Sequence, residues 1–168
     1  GTSTVTTTLH KADHSVVAIG GSVPLGTVMH DLASVAVTPT FAAPTGNVAF
    51  TFFSNDTCDG SGTAAGSVAL NGATPGVAHP SDSTAALAPG SYAFRASWPG
   101  DTNYTGDTSD CEPFTVDKGT STVTTTLHKA DHSVVAVGGG VPLGTVMHDL
   151  ATVTVDPAFA APTGNVAF

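Results

Sequence analysis

Basic side chains are scarce in this sequence, which has 4 Lys and Arg residues against 13 Asp and Glu and a formal net charge of −9. Charged residues make up 10% of the chain, whereas roughly a quarter is usual. Solubility must therefore depend on uncharged polar side chains, above all the 27 threonines. The lack of a basic patch argues against partners such as nucleic acid or an anionic membrane surface.

Long apolar runs and helical patterns are missing as well. No run approaches the roughly 18 apolar residues of a membrane-spanning helix, so we expect no membrane insertion. The 19 Gly and 11 Pro are spread along the chain, and no stretch of about twelve residues keeps the apolar period of a helix. Apolar and polar residues instead alternate between turn-forming segments, which is typical of β-strands.

This alternation predicts a series of short strands in the first 118 residues. About seven strands in a segment of this length are typical of an all-β, immunoglobulin-like β-sandwich. The predicted strands are A (2–10), B (27–37), C (46–54), D (64–71), E (83–88), F (90–98) and G (108–117).

An internal repeat determines the expected domain organisation. Residues 119–168 align with residues 1–50 without a gap. A repeat of about 118 residues is an ordinary domain size, so we interpret 1–118 as one complete sandwich. Residues 119–168 would then be strands A, B and the start of C of a second tandem repeat, completed by further residues or by another chain. The two copies differ only at Ile19/Val137, Ser22/Gly140, Ser34/Thr152, Ala36/Thr154, Thr38/Asp156 and Thr40/Ala158.

The differences between the copies also indicate which way strand B faces. Four of them fall at even-numbered positions within 34–40, as expected for a solvated strand face, so odd-numbered residues should point inward. His10 and His30, at even positions, should point outward. Tyr92 should also hydrogen-bond back to a loop as a corner tyrosine. The predicted core includes Val35, Val37, Phe50, Phe52, Tyr92, Phe94 and Phe114.

The two cysteines, Cys58 and Cys111, both lie in the first 118 residues. A single pair in a lysine-poor, threonine-rich chain favours a disulfide and an oxidising compartment. Two buried thiols are the alternative. Cys58 follows strand C and Cys111 lies in strand G, so the loop after C would have to fold across strand F.

Two longer stretches carry a resemblance to a known family. They are "LAPGSYAFRASWPGDTNYTGDTSDCEPFTV" and "TGNVAFTFFSNDTCDGSG", which resemble the bacterial Ig-like domain repeats of large secreted and cell-surface proteins. The resemblance implies an extracellular or cell-surface location and a tandem, structural or adhesive role. It implies no catalytic residues.

Motifs of catalysis are missing, including a nucleophile elbow, a His-Glu-x-x-His zinc motif and a P-loop. We therefore expect no enzyme activity and no cofactor. His10, His14 and His30 are candidate metal ligands, because strands A and B should pair. Asp13 and Asp31 lie close in sequence, and two or three imidazoles with a carboxylate suit Zn²⁺ or Cu²⁺. Ordinary surface histidines are the alternative. The same set recurs as His128, His132 and His148.

The segment "DTNYTGD" (101–107) has oxygen-bearing side chains at alternating positions, which raises the alternative of a calcium site. It lacks the length and the final glutamate of an EF-hand loop, so a hairpin turn is the favoured interpretation.

Three functions remain open from the sequence. The first is a structural module of a stiff stalk or fibre, because strand G runs into the next strand A without a flexible linker. The second is an adhesin whose loops 55–63 and 99–107 bind a glycan or protein, with Trp98 and Tyr104 as the nearby aromatics. The third is a filament subunit completed by strand exchange between copies of the chain. The uncharged strand edge at 2–8 would favour such association.

Overall fold

The computed structural model describes all 168 residues, which form strands and no helix, in two compact units, Gly1–Lys118 and Gly119–Phe168. None of the chain forms a helix long and apolar enough to cross a bilayer. The strands are β1 (Thr2–Lys11), β2 (Val16–Val17), β3 (Ser22–Val23), β4 (Met29–Thr38), β5 (Asn47–Phe53), β6 (Thr63–Ala69), β7 (Gly76–Ala78), β8 (Gly90–Gly100), β9 (Thr105–Thr108), β10 (Glu112–Val116), β11 (Thr120–Lys129), β12 (Val134–Val135) and β13 (Met147–Asp156).

The first unit contains two sheets in a sandwich-like arrangement. One sheet has the order β2-β1-β4-β7, and its centre is the antiparallel pair β1–β4, in register from Thr2 opposite Thr38 to Lys11 opposite Met29. The other sheet has the order β3-β10-β8-β5-β6, with β9 paired to the far end of β8. All pairs are antiparallel except the short β3–β10 pair.

The core lies between the two sheets and follows the predicted alternation along β4. Met29, Ala33 and Val35 are fully buried, and Val37 is nearly so. Phe50, Phe94 and Phe114 are buried in the same cluster. This inward face is apolar because each strand places every second side chain on it.

Two predicted core residues lie at its rim instead. Phe52 and Tyr92 are only partly buried, although both pack against the core cluster. The ring of Tyr92 stacks on that of Phe52 with centroids 5.5 Å apart, and its hydroxyl donates to the Ala88 carbonyl at 3.0 Å. The predicted bond from Tyr92 back to a loop is therefore present, and that bond keeps the polar end of the side chain at the surface.

The predictions for strands E and G need correction. No strand forms at 83–88; the edge strand beside β4 is instead β7, which lies between the predicted strands D (64–71) and E (83–88). Thr84 and Leu87 do donate to the carbonyls of Met29 and Thr27. Those donors are three residues apart and their acceptors only two, so the bonds cannot continue as a regular ladder.

The predicted strand G (108–117) is interrupted after Thr108, the last residue of β9, and resumes as β10. At the break, Ser109 Oγ accepts a hydrogen bond from the backbone N–H of Ala96 at 3.0 Å, and the Ser109 N–H donates to the Ala96 carbonyl. A side chain thus replaces a backbone partner, which interrupts the ladder between the two short strands.

The edge of β1 is more covered than the sequence predicted. The Thr105 N–H donates to the Gly1 carbonyl at 3.0 Å, and the Ser3 hydroxyl donates to the Thr105 carbonyl at 2.7 Å. Further along, the Val5 N–H donates to Asp107 Oδ2 at 2.9 Å. β9 therefore occupies part of the edge that was expected to be free for association.

The second unit forms the sheet β12-β11-β13, with β11 and β13 paired in the register that β1 and β4 use. Its inner face is open: Val123 is 54% and Leu127 43% exposed, whereas their equivalents Val5 and Leu9 are 4% and 1% exposed. The local pairing is thus the same in both units, while the covering sheet is present only in the first.

Candidate functional site

The two cysteines form a disulfide, Cys58–Cys111, with Cα atoms 5.8 Å apart, as predicted. Because β8 lies between β5 and β10, the loop that carries Cys58 folds across the outer face of β8. Cys58 is buried there with Phe53 and Ala93 in a small second cluster. A buried disulfide is more typical of extracellular proteins.

The other chemically distinctive feature is a cluster of histidines on the outer face of the first sheet. His10 of β1 and His30 of β4 are direct partners in the antiparallel register, and their rings stack with centroids 5.5 Å apart and planes 8° apart. Both sit on the outward face, as expected. They are nevertheless buried, with 8% and 2% exposure, because other histidines cover them.

His79 and His14 provide that cover. His79 directly follows β7, whose Ala78 pairs with Ala33 of β4, and its ring centroid is 5.2 Å from those of both His10 and His30. His14 comes from the turn after β1, where it has a φ of 62°, a left-handed conformation that histidine adopts more readily than most residues. Its ring lies 4.8 Å from that of His30 and 5.1 Å from that of His79.

The sequence identified His10, His14 and His30 but missed His79. Residue 79 lies far from the others in sequence, between the predicted strands D (64–71) and E (83–88). The short apolar run "GVA" between Pro75 and Pro80 was the available signal for a short edge strand.

The ring nitrogens of three histidines converge. His30 Nε2 and His79 Nε2 are 3.2 Å apart, and one ring nitrogen from each of His10, His30 and His79 lies within 4.8 Å of the others. His10 Nδ1 is 2.9 Å from the Thr8 carbonyl oxygen, which can only accept. That contact assigns the proton to Nδ1 and leaves the Nε2 lone pair of His10 free.

The surroundings favour neutral imidazoles at His30 and His79. Burial lowers the pKa of His30, and the neighbouring His79, His14 and His10 lower it further. Burial also lowers the pKa of His79, assisted by His10 and His14. Uncharged imidazoles with free lone pairs can accept a proton or bind a metal ion.

The nearby aspartates are not part of this cluster. Asp13 accepts hydrogen bonds from the Ser15 hydroxyl and N–H, which lower the pKa of its carboxyl group. Asp31 lies at an inward position of β4, where burial and then the charge of Glu112 raise its pKa to about 8. The candidate site is therefore made of imidazoles, without the carboxylate that the sequence had suggested.

The second unit repeats only part of the arrangement. The rings of His128 and His148 stack with centroids 5.5 Å apart, and His148 Nε2 lies 3.2 Å from His132 Nδ1. These three residues are the equivalents of His10, His30 and His14, whereas His79 has no equivalent within residues 119–168.

The segment 101–107 forms a hairpin turn at 101–104 and then the start of β9, where Asp107 Oδ2 accepts from the Val5 N–H. Asp101 Oδ1 accepts from the N–H groups of Asn103 and Tyr104. Asp101 Oδ2 accepts from the N–H and hydroxyl of Thr45. Both oxygens hold the turn together, which agrees with the turn interpretation rather than a calcium site.

No protein-family model matches this chain, and no curated protein or solved structure matches it either. The resemblance to bacterial Ig-like repeats therefore stays a prediction, and function has to be argued from the geometry of the chain itself.

Proposed function

We propose that this chain is a structural module of an extracellular, tandem Ig-like array that acts as a stiff spacer in a stalk or fibre. The observation that carries this proposal is the junction between the repeated sequences. β10 ends at Val116 and β11 begins at Thr120, so three residues connect the two units. A connection this short limits the freedom of a hinge far more than a flexible linker does.

The Ig-like assignment is supported by the first unit. Two sheets face each other across an apolar core, and Tyr92 bonds back to the Ala88 carbonyl, as a corner tyrosine does in such sandwiches. The disulfide supports the extracellular location, because such bonds persist in oxidising compartments.

The two aromatic residues that an adhesin would use to bind a sugar, Trp98 and Tyr104, are buried. Trp98 and Tyr104 are 1% and 4% exposed, so neither ring can stack on a sugar. Trp98 Nε1 donates to the Thr45 carbonyl, and the Tyr104 hydroxyl contacts the backbone near Pro39. Both side chains hold the structure together.

Strand exchange between chains is a second candidate, because the inner face of the second unit is exposed. The inner face of the second unit exposes Val123 at 54% and Leu127 at 43%. An exposed apolar sheet face of this kind is a recognised site of association.

Small-angle scattering of chains with two and four complete units tests the spacer function. Each strand of about ten residues spans roughly 33 Å, so the maximum dimension should grow nearly in proportion to unit number. A matched chain with a Gly/Ser insertion after Lys118 should instead approach square-root growth. Square-root growth without the insertion would contradict the proposal. The mass of the 168-residue chain in dilute solution tests strand exchange, which requires dimers or larger species.

A further inference from the structure

Four histidines from separate parts of the first unit meet on the outer face of one sheet. His10 comes from β1, His30 from β4, His79 from the residue after β7, and His14 from the turn after β1. We propose that His10, His30 and His79 bind one divalent transition-metal ion, with His14 on the remaining side as the fourth ligand. This inference is independent of the spacer function.

The spacing of the nitrogens fits a common metal. Two imidazole nitrogens bound tetrahedrally to Zn²⁺ at about 2.0–2.1 Å are separated by roughly 3.3 Å. His30 Nε2 and His79 Nε2 are 3.2 Å apart, so an ion bridging them needs no change in that separation. The His10 nitrogen completes a set within 4.8 Å, which a small side-chain rotation can close around the ion.

The ligands are held in place by their surroundings. The bond from His10 Nδ1 to the Thr8 carbonyl is the outer contact that metal-binding histidines usually make through their second nitrogen. His79 is fixed from both sides, because Ala78 pairs with Ala33 and the Ser81 N–H donates to the Asp31 carbonyl at 2.9 Å. The ring of His10 and the backbone of His79 are therefore positioned before an ion arrives.

The chemistry of the ligands selects the class of ion. An all-imidazole set suits Zn²⁺, Cu²⁺ or Ni²⁺, whereas Ca²⁺ and Mg²⁺ prefer oxygen ligands. The bound ion would join the central pair β1–β4 to the three-residue edge strand β7 through His79. The expected result is a first unit in which the bound metal stabilises the short edge strand β7, which pairs with β4 over three residues.

The second unit allows the contribution of His79 to be compared within one chain. It has the equivalents of His10, His14 and His30 but not of His79, and His148 and His132 are exposed there. Because the site requires the imidazole of His79, the second unit must bind the same ion more weakly.

Calorimetric titration of the metal-free 168-residue chain with Zn²⁺ near pH 7.5 tests the proposal. We expect one strong site per chain. His79→Gln should weaken it at least tenfold, because even the loss of an outer partner of a ligand costs 10- to 100-fold in affinity. His132→Gln, the matched control in the second unit, should leave the strong site unchanged.

Nuclear magnetic resonance of the unaltered chain provides a readout that does not depend on the folding of a variant. Zn²⁺ should shift the imidazole signals of His10, His30 and His79 together at one equivalent, and those of His148 only at higher concentration. The proposal is overturned if no saturable binding occurs at millimolar Zn²⁺. It is also overturned if His148 responds together with His30, or if a folded His79→Gln variant keeps full affinity.

Discussion

Removing the disulfide should produce the largest single loss of stability in the first unit. Cys58 and Cys111 are 53 residues apart in sequence. In the chain-entropy model, a loop of that length stabilises the folded state by about 4 kcal/mol. The double variant Cys58→Ala/Cys111→Ala also loses the cover of Phe53, which is 1% exposed beneath the loop. The total loss should therefore be at least about 4 kcal/mol.

Urea unfolding followed by tryptophan fluorescence measures this change directly. Trp98 is the only tryptophan and is buried in the first unit, so its emission reports that unit alone. With a slope of about 2 kcal/mol per molar urea, the midpoint should fall by about 2 M. The slope itself should rise, because the unfolded chain without the cross-link exposes more surface.

The control is reducing agent, which should lower the midpoint of the natural chain and leave the double variant unchanged. A double variant whose midpoint stays within about 0.3 M of the natural chain would refute the reasoning, since the difference would be far below the loop-entropy value.

Three further outcomes are expected. Burial raises the pKa of Glu112 above its ordinary value of 4.5, so the folded state keeps a proton that the unfolded state loses. Stability should then fall as pH rises above about 4.5, and Glu112→Gln should reduce that slope in urea titrations at several pH values; an unchanged slope would contradict this. The Tyr104 hydroxyl accepts from the N–H groups of residues 41 and 42, so Tyr104→Phe should cost about 2 kcal/mol in the same assay, and a cost near zero would mean that water replaces it. Residues 1–118 alone should unfold cooperatively in calorimetry and 119–168 alone should not, because only the first has a covered inner face; a cooperative monomeric transition of the shorter peptide would overturn this.

The strands and their facing followed largely from the sequence. Alternation over residues 2–10 and 27–37 predicted the pairing strands β1 and β4 to within two residues at each end. The even-numbered differences between the copies predicted the outward face, and Ala36 and Thr38 are indeed exposed while Val35 and Val37 are buried. Period-two patterns are local, so they can be interpreted without knowing the partner strand.

Two features that depend on contacts between residues distant in sequence were less predictable. The division of strand G arises because Ser109 Oγ takes the place of a ladder partner for the Ala96 N–H. The burial of Phe53, rather than Phe52, arises because a loop tied by the disulfide covers the outer face of β5. Neither effect produces a periodic pattern of apolar and polar residues in the sequence.

The candidate metal site was likewise predictable only in part. The sequence by itself determined that His10, His14 and His30 would lie near one another, because adjacent antiparallel strands and their turn bring them together, and the second copy repeats that local geometry. Only the tertiary structure decided that His79 joins them and that the cluster is buried. That contact spans 49 residues between His30 and His79, and it depends on the short strand β7 pairing at the edge of the sheet, a long-range choice that local alternation does not encode.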